Sequence, residues 1–223
     1  MQDFSLRLVS IRERIAAAAE KGGFDPDMVQ IVAASKSRSV EQIRALYKTG
    51  GIVAAGENRV QEFLGKYSPD ITFDFIGRLQ TNKVKYIIDK VRLIQSVDRE
   101  SLLIEINKQA LARGIVSDIL IEVNSGMEEA KGGIAAEDTL DFAKTIQEYK
   151  GVRLRGIMAV APIADADTLR RCFNDVYKAY CVLQKNYPDI DYLSMGMSED
   201  FPIAVECGSN MVRLGRILFE EAL

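Results

Sequence analysis

Lys36 is the side chain whose place in the sequence most favours covalent chemistry. It follows an apolar run, 31–34, and Ser35, a pattern typical of a strand with polar residues at its carboxyl end. Side-chain alternation puts Val32, Ala34 and Lys36 on one face of that strand. If that face lines a barrel, burial lowers the pKa of the amine and makes it a nucleophile towards aldehydes. A solvated lysine just beyond the strand is the alternative, and position alone favours it.

A glycine-containing turn late in the chain predicts an anion site. Segment 193–200 has the pattern of a short strand, a turn at Gly196, and Ser198 as the N-cap of a helix from Glu199 towards Glu206. The exposed N–H groups and the dipole of such a helix favour a phosphate, and the Ser198 hydroxyl adds a further hydrogen bond. An ordinary N-cap serine is the alternative.

The last predicted strand ends at Gly215, and Arg216 opens a helical turn after it. Val212 and Leu214 share a face suited to covering helices, which turns Arg213 towards the interior. A buried guanidinium needs an acceptor, either a carboxylate of the protein or a ring nitrogen or anion of a ligand. Gly215 permits a close approach of the backbone to a phosphate, and Arg216 adds positive charge.

The order of elements predicts an α/β fold. Apolar residues spaced three and four apart predict an amphipathic helix from Phe4 to Ala18. After it, helical patterns alternate with strands predicted at 29–35, 51–55, 73–76, 93–95, 118–123, 154–160, 192–194 and 211–214. Eight such units in 223 residues fit a single (β/α)8 TIM barrel with an extra N-terminal helix. A doubly wound open sheet is the alternative, and no linker divides residues 1–223 into further domains.

The pattern also predicts two helices and one loop in the middle of the chain. A helix is predicted over 81–90, and Asp98 is predicted to cap the helix that contains Leu102 and Ile106. A glycine-rich, charged loop is predicted at 124–133.

Composition excludes several classes of function. Lys and Arg number 29 against 32 Asp and Glu, a net charge of −3 that gives no footprint for nucleic acid. No apolar run approaches the roughly 20 residues of a spanning helix, which predicts a soluble protein without a targeting segment. Histidine is absent, so imidazole bases and His-ligated metals are excluded. Three cysteines without a CxxC motif fit a reducing cytoplasm.

The candidate sites converge if the barrel closes. Loops after strands seven and eight often bind phosphate in such barrels, and closure puts strand one beside strand eight. An amine beside a phosphate cradle suits a ligand that carries both an aldehyde and a phosphate. Pyridoxal 5′-phosphate (PLP) is such a ligand, and its ring nitrogen would be available to Arg213. A cofactor-free Schiff-base aldolase acting on a sugar phosphate uses the same two sites and stays open.

Several long segments, in one order, carry a resemblance to a known family. The sequence resembles the pyridoxal phosphate homeostasis protein family, single-domain relatives of the alanine racemase N-terminal barrel, over nearly the whole chain. The segments that carry the resemblance are 32–36, 56–62, 75–83, 96–98, 193–198 and 212–215.

The resemblance implies a cofactor site and a role. PLP would be held as a Schiff base on Lys36, with Arg213 near the pyridine nitrogen. The other cofactor-binding residues that it implies are Asn58, Met197, Ser198, Gly215 and Arg216, the last three around the phosphate. The implied role is PLP homeostasis. Delivery of PLP to apo PLP-dependent enzymes, buffering of the free aldehyde and an effect on amino-acid balance all stay open, as does the oligomeric state, for which a monomer is favoured.

A PLP-dependent amino-acid racemase is the alternative to a carrier. An arginine at the ring nitrogen leaves that nitrogen unprotonated, which weakens the electron sink that racemisation needs. Racemisation also needs acid and base groups on both faces of the carbanion, and the chain offers one obvious lysine. Both arguments favour a carrier without dedicated turnover, and weak racemase-like side activity is compatible with them.

Two positions depart from the family pattern. Asp74 stands where family members usually have histidine, so any role of that imidazole is absent. The chain also lacks the glycine often found after the phenylalanine at position 219. Neither departure touches Lys36 or the phosphate cradle.

Overall fold

Eight parallel strands form a closed barrel in the order of the chain, and the first strand pairs with the last. The structure is a computed structural model that describes residues 4–126 and 132–219. The predicted (β/α)8 barrel is confirmed, and the open doubly wound sheet is wrong.

The elements have the following bounds. The strands are β1 (Gln30–Ala34), β2 (Ala54–Glu57), β3 (Phe73–Phe75), β4 (Leu93–Val97), β5 (Ser117–Val123), β6 (Val152–Ala159), β7 (Tyr192–Ser194) and β8 (Met211–Leu214). The helices are α1 (Phe4–Gly22), α2 (Val40–Tyr47), α3 (Val60–Lys66), α4 (Glu100–Ala112), α5 (Thr139–Ile146), α6 (Ala166–Asn186), α7 (Phe201–Glu206) and α8 (Arg216–Phe219).

The N-terminal helix α1 covers the closure of the barrel. Its apolar stripe, which includes Leu8, Ile11 and Ile15, is buried in one cluster with Ile31 of β1 and Val212 of β8. This confirms the predicted amphipathic helix. Because neighbouring residues of a strand face opposite ways, the same packing turns Val32 and Arg213 into the barrel.

Apolar side chains fill the middle of the barrel, as is usual for this architecture. One buried cluster is made by Val32, Leu93, Leu120, Met158 and Met211. Polar side chains from β3, β4, β7 and β8 are also buried in the same interior. The barrel core therefore carries a polar layer beside its apolar one.

The second strand lies further along the chain than predicted. Pairing with β1 begins at Ala54, opposite Val32, whereas the predicted strand began at residue 51. A Cβ at Gly51 would lie 2.5 Å from the Leu8 side chain, so this residue packs under α1 before the strand starts. The strand consequently continues to Glu57, which is buried.

Two helix predictions are wrong in detail. The predicted helix over 81–90 is a 3-10 helix, Thr81–Tyr86. Asp98 does not cap α4, because Arg99 occupies the N-cap position and its Nη1 donates a hydrogen bond to the Asp98 carboxylate. The N-cap residue of α4 makes no side-chain capping hydrogen bond.

Segment 124–133 is tied to the barrel at both ends. Asn124 N donates to Ile134 O, and Ile134 N donates to Glu122 O, each at 2.9 Å. Residues 127–131 of the predicted loop lie outside the described residues, as do residues 220–223. Across the ranges that are described, no helix is long and apolar enough to cross a bilayer.

Candidate functional site

A cavity of about 610 Å³ opens at the carboxyl ends of the strands. The loop after β6 adds an apolar wall that the sequence analysis missed, with Ala161 and Pro162 among its residues. Every residue predicted to bind the cofactor lines this one cavity: Lys36, Asn58, Met197, Ser198, Arg213, Gly215 and Arg216. Residues that are up to 180 positions apart in the sequence are thus brought to one place, and their roles stay predictions.

Lys36 stands at the rim of the cavity, just after β1. It is exposed, which agrees with the solvated lysine that its position alone favours. The reason is that β1 ends at Ala34, and Ser37 turns the chain with a left-handed φ of 60°. Among described residues, none bonds to the Lys36 amine, which is therefore free to reach a ligand in the cavity.

A buried network fixes the backbone next to Lys36. Ser35 Oγ donates to Glu57 Oε1 at 2.6 Å. Lys66 Nζ, from α3, donates to Ser35 O at 2.8 Å and to Glu57 Oε1 at 2.7 Å. Sequence reasoning missed this network, because Glu57 lies beyond the predicted end of β2 at residue 55 and the structure extends that strand to Glu57. The network ties the ends of β1 and β2 to α3 and so fixes the point from which Lys36 projects.

Ser198 joins the turn after β7 to the turn after β8. Its Oγ accepts hydrogen bonds from Gly215 N at 3.2 Å and from Ile217 N at 3.5 Å. It is not an N-cap of α7, which begins at Phe201 after Asp200. That prediction is wrong because Pro202 lies in the first turn of the helix, a position that favours a later start.

The backbone at Gly215 is closely packed. A Cβ there would lie 3.3 Å from Ala34 O on β1. Next to it, Arg216 opens α8, as predicted, and its Nη2 donates to Glu199 Oε1 at 2.6 Å. Because Gly215 N and Ile217 N already donate to Ser198 Oγ, the Ser198 hydroxyl proton and the Arg216 guanidinium are the donors that suit a phosphate.

Arg213 is buried inside the barrel, as the strand pattern predicted, with 4% of its surface exposed. Its Nη1 donates to Ser194 O at 2.7 Å and to Ser194 Oγ at 2.8 Å, and its Nη2 donates to Ala159 O at 2.8 Å. Burial lowers the pKa of Arg213 to about 10. None of its described hydrogen-bond acceptors is the carboxylate that the sequence analysis considered.

The remaining predicted residues lie at the mouth of the cavity. Met197 is 39% exposed, and Asn58 is also exposed. Asn58 further lines a second cavity of about 570 Å³, together with Arg78 and Lys83. The polar density of the segment from 77 to 83 left a solvated loop, a cavity wall and a partner surface open, and the structure makes it a wall of a basic cavity beside the first one.

Glu122 carries the most perturbed carboxylate of the barrel mouth. Burial, with a smaller contribution from the nearby Asp98 carboxylate, raises the pKa of Glu122 to about 7. Its Oε2 is buried and has no hydrogen-bond partner in the described part of the chain. Sequence reasoning missed it because alternation alone does not distinguish an inward glutamate near the mouth from an ordinary solvated one.

Comparisons with known proteins agree with this geometry. The alanine racemase N-terminal domain family matches residues 7–222. The pyridoxal phosphate homeostasis protein of Aquifex aeolicus is 42% identical over 221 residues, 96% of each chain. A crystal structure of an unknown protein from Bifidobacterium adolescentis has a TM-score of 0.88 and 32% identity, covering 98% of this chain and 97% of that one. The structure of PipY from Synechococcus elongatus with PLP bound has a TM-score of 0.77 and 30% identity, covering 94% and 99%.

Proposed function

Because the chain belongs to the pyridoxal phosphate homeostasis protein family, we propose that it binds PLP at the carboxyl ends of its strands and takes part in intracellular PLP homeostasis. The observation that carries the proposal is the meeting of Lys36, Ser198 and Arg213 in one cavity. An amine, a phosphate cradle and a buried guanidinium are there brought together.

The residues present fit PLP at its two reactive ends. At one end, the Ser198 hydroxyl offers a donor to a phosphate, and Arg216 adds charge beside Gly215. At the other, the exposed amine of Lys36 would condense with the aldehyde that PLP supplies, giving a Schiff base and releasing one water. The Ser35, Glu57 and Lys66 network holds the backbone from which that amine projects.

Arg213 favours a carrier over a racemase. A guanidinium has five N–H donors and no acceptor, and three of its N–H groups are used by Ser194 and Ala159. The remaining donors are available to a ring nitrogen, which stays unprotonated because arginine does not give up its proton readily. An unprotonated ring withdraws electrons weakly, which disfavours carbanion chemistry.

The first experiment is the visible absorption spectrum of the purified full chain with PLP, before and after borohydride. We expect a band that borohydride bleaches and a pyridoxyl group that peptide mapping places on Lys36. Lys36→Ala should lose the covalent adduct, and Lys48→Ala, which changes an exposed lysine outside the cavity, should keep it. A protein that stays colourless with PLP overturns the proposal and leaves the cofactor-free aldolase to be tested with sugar phosphates.

The recipients of PLP follow from the same proposal. We infer that the chain acts in the cytoplasm as a single-domain monomer and passes PLP to apo PLP-dependent enzymes. Mixing the PLP-loaded chain with such an apo-enzyme should restore the activity of that enzyme. Activity no faster than the release of free PLP into a PLP trap would contradict direct transfer.

A further inference from the structure

A chain of buried polar side chains runs through the barrel interior and ends at Arg213. Barrel interiors of this architecture are mostly filled by branched apolar residues, so a continuous polar path there needs a reason. Three of its members, Asp74, Gln95 and Ser194, are fully buried. The path begins at Arg92, which is partly exposed at the start of β4.

The first link is a bidentate ion pair between Asp74 of β3 and Arg92, the residue before β4. Arg92 Nε donates to Asp74 Oδ1 at 2.9 Å, and Arg92 Nη2 donates to Asp74 Oδ2 at 2.7 Å. Gln95 Nε2 donates to the same Oδ2 at 2.9 Å. Burial raises the pKa of Asp74, and the ion pair with Arg92 and the hydrogen bond from Gln95 oppose that rise by favouring the ionised form. Because an ionised carboxylate only accepts hydrogen bonds, it requires the amide of Gln95 to present its NH2 group.

The next links follow from that orientation. With its NH2 group towards Asp74, Gln95 turns its carbonyl towards Ser194, and Ser194 Oγ donates to Gln95 Oε1 at 2.7 Å. A serine hydroxyl has one proton, and here that proton is used by Gln95. Ser194 Oγ therefore presents a lone pair to Arg213 Nη1, which donates to it at 2.8 Å.

We propose that Asp74 is a positioning residue that sets, through Gln95 and Ser194, the orientation of the Arg213 guanidinium towards PLP. The proposal rests on PLP binding in the cavity that Arg213 lines. The ion pair with Arg92 holds the Asp74 carboxylate in place, and so fixes the direction of the hydrogen bonds that follow from it.

The contribution of the Asp74 carboxylate is seen by considering the hydrogen bonds with their direction reversed. An amide at position 74 can donate as well as accept, so the Gln95 amide could turn over and donate to Ser194. The Ser194 hydroxyl proton would then point at the N–H groups of Arg213. Two donors facing each other weaken the anchor of the guanidinium inside a buried site.

The test interrupts the series of hydrogen bonds from Asp74 to Arg213 at two residues. Asp74→Asn permits reversal, and Gln95→Met removes the middle link in a nearly equal volume while leaving the Asp74–Arg92 pair in place. In the PLP-loaded protein we expect a roughly two- to tenfold rise in the PLP dissociation constant, the effect of one hydrogen bond. The dependence of the PLP absorption band on pH should shift as well. In the ligand-free protein, the Arg213 Nε 15N resonance, assigned with Arg213→Lys, should move.

Asp118→Asn is the matched control. Asp118 of β5 also forms a bidentate ion pair, with Arg153 of β6, at 2.6 and 3.0 Å. No described hydrogen bond links Asp118 to Arg213. This variant should lower the melting temperature without moving either the PLP spectrum or the Arg213 resonance.

The outcomes separate the two proposals. If wild-type chain binds PLP but Gln95→Met and Asp74→Asn match Asp118→Asn in every readout, the positioning role of Asp74 is overturned. If only Asp74→Asn fails to fold, Gln95→Met decides. If the wild-type chain does not bind PLP at all, the proposed function fails, whereas the ligand-free Arg213 resonance still reports whether the chain orients the guanidinium.

Discussion

Lys66 Nζ lies 2.7 Å from Glu57 Oε1, and the Glu57 carboxylate is fully buried at the end of β2. Removal of one partner from a buried ion pair leaves the other charge uncompensated. We therefore expect Lys66→Met to lower the free energy of unfolding by about 3–5 kcal/mol, towards the lower end because Lys66 is itself partly exposed. Urea denaturation measures this change.

Lys178→Met provides the comparison for Lys66→Met. Lys178 pairs with Asp175 at 2.8 Å on the surface of α6, where both side chains are largely exposed. Exposed pairs contribute about 0–1 kcal/mol, so this variant should unfold at nearly the urea concentration of the wild type. Equal losses in the two variants would mean that burial of Glu57 does not strengthen its dependence on Lys66.

Ser198 gives a prediction about the phosphate cradle. Ser198→Ala removes a hydroxyl that lines the cavity and accepts from Gly215 N and Ile217 N. The PLP dissociation constant should rise by the equivalent of about 0.5–1.5 kcal/mol, the contribution of one hydrogen bond. Titration of PLP absorbance measures it.

Ser39→Ala controls for a general loss of stability. Ser39, which does not itself line the cavity although Arg38 before it does, caps α2 with a capping box. Its loss should cost about 1 kcal/mol of folding stability and leave the PLP titration unchanged. A Ser198→Ala protein that titrates like Ser39→Ala would remove Ser198 from the phosphate site.

The sequence predicted well which way a side chain points from its own strand, and predicted poorly which residues on other strands and turns it contacts. Alternation along one strand is enough to place Lys36 towards the cavity and Arg213 inside the barrel, because packing against α1 fixes which face is outside. The partners of these residues depend on strand register. Glu57 was missed because β2 starts three residues later than its apolar pattern suggests, and Ser198 was assigned to the helix that follows it in sequence, although it bonds to the turn after β8.

The close approach of Gly77 to Asn58 predicts another effect on the cavity. A Cβ at Gly77 would lie 2.3 Å from Asn58 O and 2.5 Å from Asn58 Cα, so an alanine there must displace the backbone. Because Asn58 lines both cavities, Gly77→Ala should weaken PLP binding and lower the melting temperature. Gly65→Ala is the control, since a Cβ at Gly65 in α3 meets no other atom within 4 Å.

The direction in which Gly65→Ala changes the melting temperature is also informative. Alanine is favoured over glycine inside a helix by roughly 0.5–1 kcal/mol, so Gly65→Ala should raise the melting temperature slightly. If Gly77→Ala were equally well tolerated, the backbone of Asn58 would not be held by that contact, and the two cavities would not share a rigid wall.

The raised pKa of Glu122 predicts a pH dependence of stability. Its pKa rises from 4.5 to about 7 because burial and the nearby Asp98 disfavour the charged form, against the opposing charges of Arg213, Arg78 and Arg99. The folded state then binds a proton more readily than the unfolded chain. The loss of folding stability that comes from ionising Glu122 is absent below the pKa of the unfolded chain, about 4.5. It grows as the pH rises to about 7 and is complete above that pH.

Glu122→Gln removes this cost, because an amide resembles the protonated acid and does not ionise. At about pH 8 the variant should be more stable than the wild type by up to about 3 kcal/mol, since each pKa unit corresponds to about 1.36 kcal/mol. At about pH 4 the two proteins should unfold alike. Urea titrations at both pH values test this, with Glu148→Gln at an exposed position as the control that should show no such difference. A stability difference between Glu122→Gln and the wild type that does not change with pH would show that the Glu122 carboxyl is not held near neutrality by its surroundings.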